Sequence, residues 1–128
     1  MTGLPERARE LIDGPNFATV STIQPDGAPQ ASVVWIKRDG DDVLYSTVKH
    51  RRKYLNLLAD PRTSLVIYEA ANPYEYLEIR GTVTVTEDPD GLLIEELARK
   101  YTGEAFQDAP GNRRVIVRVS PSHVVIGG

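Results

Sequence analysis

Residues 74–86, YEYLEIRGTVTVT, alternate from end to end in the manner of a β-strand. Gly81 interrupts the alternation, and a glycine inside a strand marks a bulge or the bend of a curved sheet. Upstream, residues 63–68 form a strongly apolar strand, and Ala71-Asn72-Pro73 turns one into the other. Downstream, Glu87-Asp88-Pro89 opens a helix running to about Tyr101, with Leu93, Ile94, Leu97 and Tyr101 as its apolar positions. A loop over 102–112 follows. Residues 114–119 and 123–126 then read as two last strands, divided by Ser120-Pro121-Ser122.

The N-terminal half follows the same grammar. Residues 4–13 read as a short helix with Leu4, Ala8, Leu11 and Ile12 on one side, ended by Gly14-Pro15. Residues 17–24 and 30–38 are strands joined at Pro25-Asp26-Gly27, where Pro fixes the first φ and Gly accepts a positive one. Asp39-Gly40-Asp41 turns into a third strand, 43–47, and the three are expected to form an antiparallel meander. A helix over 49–59 comes next, with Val48, Leu55, Leu58 and Ala59 on one arc, Arg51 projecting within it, and Asp60-Pro61 as its stop. Most links are too short for helical crossovers, which excludes a doubly wound sheet. The chain is therefore expected to be mainly β, an antiparallel barrel or sandwich with few helices, in a single domain over residues 1–128.

The 128 residues suffice for one real core, and the absence of Cys excludes disulfides and thiolate metal sites. No apolar run reaches signal-peptide or membrane-span length, so the expected location is cytoplasmic, with no membrane partner. The formal net charge is −3, and four of the 15 Lys and Arg residues lie within 49–53. The other 11 face 18 acids. Positive charge this local suits a small anionic ligand and argues against nucleic acid, whose binders spread basic residues along a surface.

That basic run, Ser46-Thr47-Val48-Lys49-His50-Arg51-Arg52-Lys53, sits where a strand gives way to a helix. A helix N-terminus carries partial positive charge and favours anions, so cations there are electrostatically misplaced unless an anion joins them. A solvated helix face is the plainer explanation of any basic run. The strand-to-helix position, with the Ser46 and Thr47 hydroxyls adjacent, favours a phosphate site. No Gly-x-x-x-x-Gly-Lys loop, no Gly-x-Ser-x-Gly elbow and no paired histidines accompany it (His50 and His123 are far apart). An enzyme built this way would take its chemistry from a cofactor. Core packing accounts for most of the aromatics. Tyr74 and Tyr76, however, share one strand face and can flank a planar ligand or fill a subunit interface.

These residues, in this order, resemble the split β-barrel flavin and deazaflavin oxidoreductases related to pyridoxamine 5′-phosphate oxidase, and most the small actinobacterial F420-dependent branch. The resemblance rests on residues 17–22 (FATVST) and 26–30 (DGAPQ), on Ser46-Thr47 with Arg51 and Lys53, and on Asn56-Leu57 and Asp60-Pro61-Arg62. Tyr76, Gly81-Thr82-Val83, Tyr101 with Gly103-Glu104, residues 113–117 (RRVIV) and Pro121-Ser122-His123-Val124 continue it. It implies a six-stranded antiparallel split barrel, a homodimer with two cofactor sites at its interface, and hydride transfer between F420 and a small organic molecule. FMN is the alternative cofactor, for an FMN-binding oxidoreductase or flavin reductase of the same fold. A non-enzymatic nucleic-acid-binding module is the alternative of another class. By resemblance, Arg51 and Lys53 hold the cofactor phosphate, Ser46 and Thr47 donate hydrogen bonds, and Gln30 with the backbone of Ser32, Val33 and Val34 lines the ring system. Tyr74 and Tyr76 match aromatic positions near the site, contributed by the partner subunit. In the flavin-using oxidases an adjacent Arg-Lys pair grips the phosphate, which would make Arg52 and Lys53 the pair, and a basic residue near Lys37 also meets it.

Overall fold

The computed structural model describes residues 3–127. Helix α1 (Glu6–Asp13) is followed by strands β1 (Ala18–Ile23), β2 (Pro29–Val34), β3 (Lys37–Asp39) and β4 (Asp42–Val48). Then come α2 (Arg52–Ala59), β5 (Arg62–Glu69), β6 (Asn72–Glu87), α3 (Leu92–Thr102) and β7 (Arg114–Gly127). All strand pairs are antiparallel, and the sheet order is β2-β1-β5-β6-β7-β4-β3.

The two ends of that order are neighbours in the chain. β2 pairs with β1 at one edge of the sheet, β3 pairs with β4 at the other, and only Trp35 and Ile36 separate them. One bent strand thus closes the sheet on itself, and a barrel results. Seven strand segments stand where six strands were expected; counted as one, β2 and β3 restore six. The expected meander also changes: β4 pairs with β3 and β7 and leaves β2 unpaired on that side.

The bend has a physical cause that Trp35 and Ile36, both good strand residues, do not reveal. The Ile36 N–H donates to the Tyr101 hydroxyl at 3.1 Å, and the Ile36 carbonyl accepts from Lys100 Nζ at 2.7 Å. Side chains from the end of α3 therefore take the hydrogen bonds that a neighbouring strand would otherwise supply. Tyr101 is fixed in turn by donating to the Asn16 carbonyl at 2.7 Å and by stacking on Trp35.

The alternation of β6 puts Leu77 and Ile79 in the interior and Tyr76 and Arg80 outside. They meet Val20, Leu65, Ile67, Val117, Val119 and Tyr45 in one core, which α1 caps with Ala8, Leu11 and Ile12. On the far side of β4, Leu44 packs against Leu93 and Leu97 of α3. The expected bulge lies at Gly81, where the pairing passes from Arg80↔His123 to Gly81↔Pro121 and leaves Ser122 as the extra residue. A Cβ on Gly81 would stand 2.1 Å from the Ser120 carbonyl oxygen, so only glycine lets the two backbones come this close. The expected break at Ser120-Pro121-Ser122 is this bulge, and β7 runs through it as one strand.

Helix α2 also departs from expectation. It starts at Arg52, with Arg51 as its N-cap, three residues later than the basic run suggested. Its buried residues are Asn56 and Leu57, while Leu55 and Leu58 of the predicted arc are exposed. The reason is a polar contact: the Asn56 amide donates to Thr22 Oγ1 of β1 at 3.0 Å, which turns that side of α2 inward.

Candidate functional site

Where β2 swings toward β1, a cleft of about 230 Å³ opens between it and β4. Val33, Val34 and Trp35 form one wall, and Ser46, Thr47 and Val48 form the other. Arg51, Lys53 and Arg114 stand at one end, and Phe17, Ile94 and Leu97 complete the lining. Both walls are strand edges that lack a neighbour here, so their backbone polar groups are available to a ligand.

The basic end is built by α2 and β7. Arg51 is the N-cap of α2, no side chain caps that helix, and no acid lies in its first turn. Its first N–H groups are therefore without partners among the described residues, at the positive end of the helix dipole. The Ser46 hydroxyl is buried and makes no hydrogen bond, and the same holds for Ser32. A buried hydroxyl without a partner costs free energy unless a ligand or water completes it. Lys53 is half-buried; its burial, and then the nearby guanidiniums of Arg51 and Arg114, hold its pKa below the ordinary lysine value. No acidic side chain among the described residues pairs with Arg51, Arg52 or Lys53, whereas Lys49 is bound to Glu87. Arg51 and Lys53, gathered here without an acidic partner of their own, make this end a candidate anion site.

The apolar end is aromatic. Trp35 lies on Tyr101 with centroids 5.5 Å apart and an interplanar angle of 13°, and Phe17 and Phe106 pack around them. A flat molecule with one anionic group therefore suits a cleft lined by Phe17 and Trp35 as well as by Arg51, Lys53 and Arg114.

Six of the expected residues meet in the cleft: Val33, Val34, Ser46, Thr47, Arg51 and Lys53. Ser32 lies beside it on β2. Arg52 is exposed on the first turn of α2 and does not line it, so of the two neighbouring arginines Arg51 is the one that faces the cleft. Gln30 is absent from the lining; its side-chain oxygen accepts from Thr22 Oγ1 at 2.7 Å, on the chain of bonds that begins at Asn56. Tyr74, 82% exposed, and Tyr76, 37% exposed, lie on β6 away from the cleft of their own chain. Lys37 is paired with Glu96 at 2.5 Å, also outside it.

Arg114 is the charged residue that sequence reasoning did not nominate. It reaches the site because β4 and β7 pair Val48 with Arg114, a long-range register with no local signal. A larger hollow of about 470 Å³ lies on the outer face of β1, β5 and β6, but its arginines are committed, Arg62 to Asp60 and Arg80 to Glu78.

Comparison with known proteins bears on this arrangement. Residues 4–126 match the family model described as Pyridoxamine 5′-phosphate oxidase. A Pyridoxine/pyridoxamine 5′-phosphate oxidase of Cupriavidus metallidurans is 32% identical over 86 residues, which is 66% of this chain and 40% of that relative. A solved structure described as an F420 Reductase superposes with a TM-score of 0.86 at 31% identity, covering 95% of this chain and 98% of its own. A conserved hypothetical protein of Mycobacterium tuberculosis, 22% identical over 97% of this chain and 84% of its own, shares the fold with a TM-score of 0.79.

Proposed function

We propose that this chain, which belongs to the pyridoxamine 5′-phosphate oxidase family, is an F420-dependent oxidoreductase acting on a small organic molecule. One observation carries the reading: Arg51 and Lys53 converge, without acidic partners, on the uncapped start of α2 beside the orphaned Ser46 hydroxyl. That donor set fits a phosphate group. Arg51, Lys53 and the α2 N–H groups would bind it, and Ser46 and Thr47 would donate hydroxyl hydrogens. The edge of β2 over Ser32, Val33 and Val34 would hold a planar ring system by backbone hydrogen bonds, with the Phe17 and Trp35 side of the cleft excluding water. When bound in its reduced form, the deazaflavin would supply a hydride to an electron-poor double bond and leave as the oxidised cofactor. The similarity to a structure described as an F420 Reductase, over nearly the full length of both chains, supports this cofactor over others.

FMN is the second reading, because a phosphate grip of this kind serves either cofactor. Its support is weakened at Lys37: a basic residue near this position meets the phosphate in the flavin oxidases, whereas here Lys37 is bound to Glu96. A nucleic-acid-binding role draws no support from a net charge of −3 or from a basic run whose first lysine is bound to Glu87.

The active form we propose is a cytoplasmic homodimer. Tyr68, Tyr74, Tyr76 and Val125 leave large apolar groups exposed on the outer face of β5, β6 and β7. A second copy covering that face would bring its Tyr74 and Tyr76 toward the cleft. No described helix is long and apolar enough to cross a membrane.

Fluorescence titration of the purified protein with F420 tests the reading directly. Saturable binding that Arg51→Ala weakens is the expected result. No saturable binding of F420, together with tight binding of FMN and a yellow purified protein, would transfer the assignment to FMN.

A further inference from the structure

Arg114 occupies an unusual position for a surface-strand arginine. Its side chain is only 13% exposed although it lies at the start of β7, next in register to Val48 and the basic run. Asp108 holds one edge of it: Nε donates to Oδ2 at 2.9 Å and Nη2 to Oδ1 at 3.2 Å. The guanidinium carbon lies over the Phe106 ring, 5.0 Å from its centroid. Nη1 makes no hydrogen bond to any described residue, and the residue lines the cleft.

Asp108 is itself built in. It also accepts from the Ala109 N–H at 2.9 Å and from the Asn112 amide at 2.6 Å, so the loop before β7 is folded around its carboxylate. These four bonds, Arg114 foremost, hold the Asp108 carboxyl down at about 2. A carboxylate that only neutralised Arg114 would need no such loop. This one uses the fork of the guanidinium and leaves the remaining nitrogen pointing elsewhere. An arginine held along its edge by Asp108 and seated over the Phe106 ring has little rotamer entropy left to lose on binding an anion. Three cations against one acid leave the cleft a net charge of about +2, which a phosphate can offset.

We propose that Arg114 is a third anion-binding residue of the cleft and that Asp108 is the positioning residue that aims it. The proposal rests on reading the cleft as the cofactor-phosphate site, and it extends that site from α2 to the start of β7 and the loop before it.

A double-mutant cycle on the full chain tests it, with F420 and then FMN titrated into wild type, Arg51→Ala, Arg114→Gln, Arg114→Lys, Asp108→Asn and the Asp108→Asn/Arg114→Gln pair. Thermal melting of each variant is recorded alongside. Arg114→Gln is expected to weaken binding by about 10- to 100-fold, the range for a charged hydrogen bond. Asp108→Asn is expected to weaken it less. The pair is expected to bind no worse than Arg114→Gln alone, a non-additivity that a purely structural role for Asp108 would not produce. Arg114→Lys keeps the charge without the fork and should recover part of the loss. Wild-type affinity in Arg114→Gln or, should that variant not fold, in Arg114→Lys, with Arg51→Ala still impaired, overturns this inference and leaves the cofactor site standing. Additive losses overturn the role of Asp108. Wild type that binds neither cofactor overturns both readings.

Discussion

Replacing Tyr101 by Phe removes one oxygen atom and tests whether α3 is what holds the barrel split. The ring would stay, stacked on Trp35 and in contact with Phe17 at 5.6 Å. What goes is the bridge from the Ile36 N–H, at 3.1 Å, to the Asn16 carbonyl, at 2.7 Å. An unsatisfied buried donor or acceptor costs roughly 1–3 kcal/mol. Tyr101 is half-buried, so water reaches part of the vacated site and the lower half of that range applies, about 1–2 kcal/mol. For a domain of this size each kcal/mol shifts the midpoint by roughly 3–6 °C, so the expected loss is about 3–12 °C. Urea unfolding at constant m would confirm that the native state alone has changed. F420 affinity should fall as well, because Val33, Val34 and Trp35 lie immediately before the released peptide. A variant within about 1 °C of wild type, with unchanged affinity, would refute the claim that Tyr101 sets the bend.

Other outcomes follow from single contacts. Gly81→Ala drives a methyl group into the Ser120 carbonyl, a backbone atom that cannot rotate away, and should cost about 3 kcal/mol or more in urea unfolding; a near-neutral variant would mean β7 yields easily. Asp88, 5% exposed, accepts the Leu92 and Leu93 N–H groups, so Asp88→Ala should cost about 2 kcal/mol and destabilise α3, read as lost helical circular dichroism on heating. Arg51→Ala and Lys53→Ala should each weaken cofactor binding by roughly 1.5–3 kcal/mol in the fluorescence titration, and unchanged affinity in both would place the phosphate elsewhere. Asp108 titrates at about 2 in the folded chain against 3.8 unfolded, so its contribution is complete above the unfolded value and is lost as pH falls through the folded one. Melting curves of wild type and Asp108→Asn should therefore differ at neutral pH and converge as pH approaches about 2.

Local periodicity carried most of the fold. Alternation along residues 74–86 exposes a strand whose inward positions, Leu77 and Ile79, are fully buried, and the apolar spacing of α1 predicts the residues it hides. Gly81 announces the bulge because its physical requirement, the absence of a Cβ, is a property of one residue. The split at Trp35-Ile36 was not legible, since its cause lies in Lys100 and Tyr101, far along the chain. Helix α2 departs from its apolar spacing for a related reason: Asn56 goes inward to meet Thr22, and a polar residue on a buried face is invisible to hydrophobic spacing. At the site, the basic run was conspicuous because its charges sit against the helix dipole. Arg114 joins it only through strand register, and Asp108 only through Arg114, so neither has a local signature.

The bend between β2 and β3 has a cost for the free protein. Closed barrels escape edge-to-edge aggregation because every strand has two neighbours. Here β2, and β4 beyond Leu44, each keep one side without a partner, and Val33 on β2 is 64% exposed. An extended segment of another molecule is as able to dock on such an edge as a ligand is. Filling the cleft would then do two things at once, equipping the protein for chemistry and blocking a template for polymerisation. If the proposed cofactor fills the cleft, protein stored with F420 should stay monodisperse longer than protein stored without it, by a margin larger than the gain in melting temperature alone explains.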